Sequence, residues 1–217
     1  MNQTLLDAVP PLQRLSLGYA PEASRLALLA FFALDARFAS IVRNSREPML
    51  AQLRLSWWRE QMASSNQAQA TADPLIEALQ SWPEERSALS GLADGWEALT
   101  GPTPLPVEAL ALLAQSRGNA FAALAGSEKH RIDAQRMGEN WALADIAAHL
   151  SDERERKAVL QLASLRNWQQ ASLPRNLRPL AVLHALAARS IRRNIAISAL
   201  GGAGAALTAL RAGLLGK

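Results

Sequence analysis

Apolar positions along the chain recur at a spacing near that of a helix turn, and no stretch of strand length alternates with a period of two. Ala, Leu, Arg, Gln and Glu dominate while β-branched residues are scarce, so intrinsic propensity points the same way. The first strong pattern predicts a helix over 22–44, with Leu26, Leu29, Phe32 or Ala33, Ala36 and Val42 near one face. Glu47 and Pro48 then suit a helix start, because Pro is tolerated at the first helical position and an acid favours the positive end of the dipole. That second helix runs through Met49, Leu50, Leu53, Trp57 and Met62 to a polar break over 64–71. Asp73-Pro74 reads as the cap and first turn of a short helix to Trp82, and Pro83 restarts another through Leu99. Pro102, Pro104 and Pro106 mark the clearest loop. Further helices are predicted over 106–125 (closed by Gly126), 130–150, 152–170 and 176–200, with a turn at Leu173-Pro174. Gly201, Gly202 and Gly204 interrupt the pattern before a terminal segment over 205–215. The expected architecture is all-α, a single-domain bundle of roughly eight helices over 1–217.

Composition narrows the chemistry. With 217 residues, 49% hydrophobic and a net charge of only +4, the chain can bury a core and is not a disordered segment. It has no cysteine, which excludes disulfides, thiolate zinc sites, thiol nucleophiles and iron–sulfur clusters. The longest uncharged apolar run, 195–210, is shorter than the ~18–20 residues of a membrane span, and three glycines dilute it. The first eleven residues lack a basic region and a small-residue cleavage site, so a cytoplasmic location is expected, reaching at most to the periphery of the inner membrane.

Charge adds a second level. The basic side chains are 20 Arg and 3 Lys. Residues 1–155 carry 13 basic and 19 acidic side chains, whereas residues 156–217 carry 10 basic and none acidic. Either the basic C-terminal helices pack on the acidic remainder, or Arg189, Arg192 and Arg193 face an anionic membrane. No nucleic-acid module or aromatic-interleaved basic stripe is present, so nucleic acid is not an expected partner.

Phosphate-binding glycine loops, HExxH and GxSxG are all missing, and His130, His149 and His184 lie far apart. The densest cluster is Arg54-Leu55-Ser56-Trp57-Trp58-Arg59-Glu60. On a helix the two indoles diverge by about 100°, so at most one faces the core. Arg54 and Trp58 are spaced for a guanidinium to stack on an indole, as in a wall beside an anionic, apolar ligand or as a covered core Trp. His149, Asp152 and Glu153 would share a face on a continuous helix and could in principle hold a divalent cation; Ser151-Asp152 reads more readily as a helix cap. Asp35 is a lone acid in an apolar helix whose i+4 neighbour is Ala39, so it is expected to face something inside.

The segment from Arg25 to Asp35, followed by Glu47-Pro48-Met49-Leu50 and Arg54-Leu55-Ser56-Trp57-Trp58-Arg59-Glu60, resembles the squalene/phytoene synthase family. The stretch from Leu143 through Asp145 and His149 to Glu153 is similar to that family's second aspartate-rich helix, and Leu173-Pro174 falls where a Leu-Pro is common in it. The resemblance implies an isoprenoid-synthase-like fold on which two acidic motifs hold Mg²⁺ against prenyl diphosphates. Mg²⁺ demands near-octahedral oxygen ligation, and this sequence is short of carboxylates. Asp35 is followed by Ala36, Arg37, Phe38 and Ala39, and His149 stands where the second motif's leading acid is expected. The resemblance is therefore closest in character to the family's non-catalytic branch, which includes a mitochondrial complex I assembly factor and bacterial relatives. That branch implies an accessory or assembly protein near a membrane, able to take an isoprenoid, a lipid or a protein partner, with no cofactor. The alternative is an active head-to-head prenyl transferase with a reduced Mg²⁺ site. On either reading the catalytic candidates are Asp35, Asp145 and His149, the ligand-binding candidates Arg43, Arg54, Trp58 and Arg59, and the metal candidates Asp152 and Glu153.

Overall fold

The computed structural model describes residues 3–63, 73–82 and 86–216, and among them every regular element is helical. The helices are α1 (Gln3–Ala8), α2 (Pro11–Leu17), α3 (Glu22–Asn44), α4 (Pro48–Ala63), α5 (Pro74–Leu79) and α6 (Ser87–Glu97). They continue with α7 (Val107–Ala123), α8 (Glu128–His149), α9 (Glu153–Ser164), α10 (Arg178–Arg193) and α11 (Gly202–Leu215). Short 3-10 turns occupy Ala98–Thr100, Arg175–Leu177 and Ile197–Ala199.

The central element is α3. Glu22 sits in its first turn and Arg43 in its last, each complementing the helix dipole, and Ser45 closes it by donating its hydroxyl hydrogen to the Ile41 carbonyl at 2.7 Å. From Ala27 to Asp35 every residue is buried, which requires neighbours on all sides: α1, α2, α4, α5 and α6 pack against it. Phe31 and Phe32 carry the core onward to α7 and α8. Phe31 meets Phe121 edge-on at 5.1 Å between centroids, and Phe121 meets Trp141 edge-on at 5.7 Å. Such tilted pairs add to what burial alone contributes.

α7 and α8 approach so closely that no side chain fits between them at one level. A Cβ on Gly138 would lie 2.9 Å from the Gly118 Cα, and one on Gly118 would lie 2.7 Å from the Gln135 carbonyl oxygen. This contact helps to set the cleft described below, because Arg117 stands beside Gly118 on α7 and Asp145 lies two turns beyond Gly138 on α8.

Several boundaries differ from the sequence pattern. There are eleven α-helices among the described residues rather than roughly eight: the N-terminal segment forms α1 and α2, which bury Leu5 and Leu17, and the terminal segment forms α11. α9 ends at Ser164 rather than near Gln170: Trp168 turns back to donate its Nε1 hydrogen to the Ala163 carbonyl at 2.8 Å, and Arg136 holds the extended chain beyond by donating to the carbonyls of Asn167 and Gln169 at 3.0 and 2.9 Å. α10 stops at Arg193 rather than near Leu200: Asn194 takes the left-handed conformation, with φ of 51°. The expected polar break over 64–71 and the helix restart at Pro83 lie outside the described residues.

Candidate functional site

A cleft of about 540 Å³ opens between α1, α3, α7 and α8, within the ~300–1,000 Å³ of ordinary small-molecule sites. Its walls are largely Ala and Leu; its polar groups are concentrated where α3 passes α7 and α8. At that crossing Asp35, Arg117 and Asp145 are all buried, none more than 6% exposed.

Arg117 joins the two acids. Its Nε donates to Asp35 Oδ1 at 3.0 Å and its Nη2 lies 2.8 Å from Asp35 Oδ2, a two-pronged pairing that suits the planar guanidinium. Its Nη1 donates to Asp145 Oδ2 at 2.9 Å. The guanidinium also lies between two indoles, 5.2 Å from the Trp96 centroid and 5.3 Å from that of Trp141. Trp96 donates its Nε1 hydrogen to Asp35 Oδ1 at 2.7 Å, so that oxygen accepts twice. Burial acts most strongly on Arg117 and opposes its charge. The attraction of Asp35 and then Asp145, with their hydrogen bonds, more than offsets this and holds its pKa above the ordinary arginine value.

The rim is cationic and exposed. Arg37 and Arg43 line the cleft from α3, and His149 lines it from the last turn of α8. His149 Nδ1 donates to the Asp145 carbonyl at 2.8 Å. Arg37 also stands 3.6 Å from Asp73. The cleft thus combines an apolar body, an internally neutralised floor and an arginine-bearing mouth, a combination suited to an amphiphile with an anionic head.

Among the residues expected from sequence, Asp35, Arg43, Asp145 and His149 all meet at this cleft. The others do not. Arg54 and Trp58 line a shallower depression of about 370 Å³, which shares Arg37 and Ser40 with the cleft. Trp58 is buried and Trp57 exposed, as their angular separation requires. The cation over the Trp58 ring is Arg37, at 6.0 Å. Arg59 does not line the cleft: it pairs with Asp94 at 2.7 Å and with Glu97, and its hydrogen bond to Glu97 is the largest of the effects that raise its pKa. As a ligand-binding candidate it is therefore corrected to a tie between α4 and α6.

The proposed cation face of His149, Asp152 and Glu153 is also corrected. α8 ends at His149 and α9 begins at Glu153, so the three do not share a helix. Asp152 caps α9, accepting from the N–H groups of Arg154 and Glu155 at 2.7 and 3.3 Å, while Glu153 pairs with Lys157 at 3.3 Å. Among the described residues no group of three His, Asp or Glu side chains is placed to hold a metal ion. Buried Glu155 anchors the proline-rich loop instead, accepting from the Leu105 N–H at 2.6 Å.

Sequence reasoning missed Arg117 and Trp96. The available signal was Arg117 itself, the lone cation of α7, the counterpart of Asp35, the one acid of α3 beyond its first turn.

Comparison with curated proteins and with solved structures gives no match. Over residues 14–97, a segment that carries Asp35, Arg43, Trp58 and Trp96 but stops short of Arg117 and Asp145, the chain matches the squalene/phytoene synthase family model.

Proposed function

We propose that this protein is a non-catalytic relative of the squalene/phytoene synthases that holds an isoprenoid-like amphiphile in the α3–α8 cleft and serves an accessory or assembly role. The observation that carries this reading is Arg117, buried between Asp35 and Asp145. Mg²⁺, the ion that the family's chemistry implies, does not fit the residues present. Both oxygens of Asp35 and one of Asp145 already accept from Arg117, and Asp35 accepts from Trp96 as well. A cation at this point would meet a fixed positive charge, and Mg²⁺ takes about six oxygen ligands at ~2.1 Å. The two acids that could have gathered metal and diphosphate instead hold helices together.

What remains is a binding site. The apolar walls favour a hydrocarbon chain, and Arg37 and Arg43 favour an anionic head at the mouth. Native mass spectrometry of the purified protein should release an apolar, anionic lipid of isoprenoid type. Ala39→Trp, which narrows the cleft, should carry less. Incubation with farnesyl diphosphate and Mg²⁺ should give no pyrophosphate above the protein-free rate. Sustained pyrophosphate release would overturn the non-catalytic reading, and a wild-type protein free of apolar ligand would overturn the binding reading.

A further inference from the structure

The outer face of α11 is apolar in a way that the rest of the helix does not need. Ala205, Ala209, Ala212 and Gly213 turn inward, and the core requires nothing more from this element. Yet Leu207, Leu210 and Leu214 follow one another at i, i+3 and i+7 and are 67, 47 and 68% exposed. At that spacing they form one stripe at the centre of the exposed arc. Arg211 borders the stripe, and Leu215, 61% exposed, lies on the far side of Arg211. Isolated exposed leucines need no explanation, but a continuous stripe does.

Charge identifies what covers it. No acidic side chain occurs anywhere in residues 156–217. Arg192 and Arg193 are exposed in the last turn of α10, which packs on α11. Arg189, by contrast, lays its guanidinium over Gly204 of α11 and belongs to the helix–helix contact. A second copy of the chain pairing through this stripe would bring Arg211 against another wholly basic surface with no counter-charge. An anionic bilayer supplies both missing partners, hydrocarbon for the leucines and headgroup phosphate for the arginines. No helix among the described residues is long and apolar enough to cross a membrane, and the 14 residues of α11 reach only ~21 Å, so the helix lies on the surface.

We infer that α11 docks the protein on an anionic lipid bilayer, with Leu207, Leu210 and Leu214 entering the interface and Arg192, Arg193 and Arg211 contacting headgroups. This surface is independent of what the cleft holds, so its failure leaves the proposed function standing, and the reverse.

Sedimentation with vesicles tests it. One set is pure phosphatidylcholine and the other contains one part phosphatidylglycerol to two parts phosphatidylcholine. The wild-type chain should bind the anionic set at least about tenfold more tightly, and raising the salt from about 0.1 to about 0.5 M should weaken that binding. The triple variant Leu207→Gln, Leu210→Gln, Leu214→Gln should lose about tenfold or more at low salt, with an unchanged circular dichroism spectrum and melting temperature. A second triple, Arg192→Gln, Arg193→Gln, Arg211→Gln, should lose the preference for anionic vesicles. Equal binding of the wild type to both sets, no binding to either, or wild-type binding by the leucine variant overturns the inference. So does a dimer in light scattering that the leucine variant dissolves, which would assign the stripe to a second copy.

Discussion

At the scale of single residues, the cost of desolvating a guanidinium decides what Arg117 is worth. A buried ion of this size loses several kcal/mol of hydration, and only the paired carboxylates and the flanking indoles make the burial tolerable. Arg117→Met therefore strands Asp35 and Asp145 in the core and should lower stability by about 3–5 kcal/mol in urea denaturation. Adding Asp35→Asn and Asp145→Asn to that variant should recover much of the loss, because neutral groups carry a smaller desolvation penalty. An unchanged midpoint for Arg117→Met would remove the argument. His184 behaves in the opposite sense, as a base kept neutral. Burial first, and then the nearby Arg136 and Arg192, lower its pKa to about 3. The ring stacks on Trp168, donates from Nδ1 to Gln170 Oε1 at 2.8 Å and accepts at Nε2 from Asn140 at 3.4 Å. An unfolded imidazole titrates near ~6.5, so between that value and about 3 the unfolded chain binds more protons than the folded one. Stability should fall as pH drops through this window, by at most ~1.4 kcal/mol per pH unit. The slope between about pH 6.5 and about pH 4.5, above most carboxylate titration, should flatten in His184→Gln. An identical slope in that variant would assign the acid sensitivity elsewhere.

Among the elements, the α7–α8 contact makes a prediction whose sign is informative. On an open helix face Gly→Ala stabilises by roughly 0.5–1 kcal/mol, since it removes backbone freedom from the unfolded chain. Gly91 of α6 is such a position, with nothing within 4 Å of a Cβ placed there, and Gly91→Ala should raise the melting temperature. Gly138→Ala should lower it, because its Cβ would press on the Gly118 backbone at 2.9 Å, and overpacking of this kind costs about 1–3 kcal/mol. If Gly138→Ala also stabilised, the two helices would not be in contact as described. Helix boundaries were legible in the sequence where local chemistry sets them. The start of α4 at Pro48 and the cap of α5 at Asp73 follow from residue types alone. The Asp73 carboxylate accepts from the Leu75 N–H at 2.9 Å. They were illegible where distant residues intervene. The end of α9 at Ser164 was not legible, because it is held by contacts that no helix-stop residue marks: Trp168 folds back to donate to the Ala163 carbonyl at 2.8 Å, and Arg136, some thirty positions earlier in the chain, holds the carbonyls of Asn167 and Gln169. α1 is only six residues long and owes its form to burying Leu5, a gain that no local pattern reveals.

For the whole molecule, the cleft gathers residues that sequence reading could rank but not assemble. Asp35 stood out as a lone acid, His149 through its spacing to Asp152 and Glu153, and Arg43 and Asp145 only through the family resemblance, and the fold brings all four to one cavity. Arg117 and Trp96 did not stand out: the one mark on Arg117 is that it is the lone cation of α7, and a tryptophan among 6 carries none until its partner is known. The net charge of +4 likewise concealed a segregation whose meaning depends on where α11 faces. One consequence concerns how the sequence can change over time. Replacing Arg117 strands two acids, and replacing either acid leaves a buried guanidinium short of a counter-charge, so each single substitution passes through a less stable protein. The three positions are released only together. Drift can reshape the cleft walls and the exposed faces one residue at a time, but this crossing is a lock that no single mutation opens.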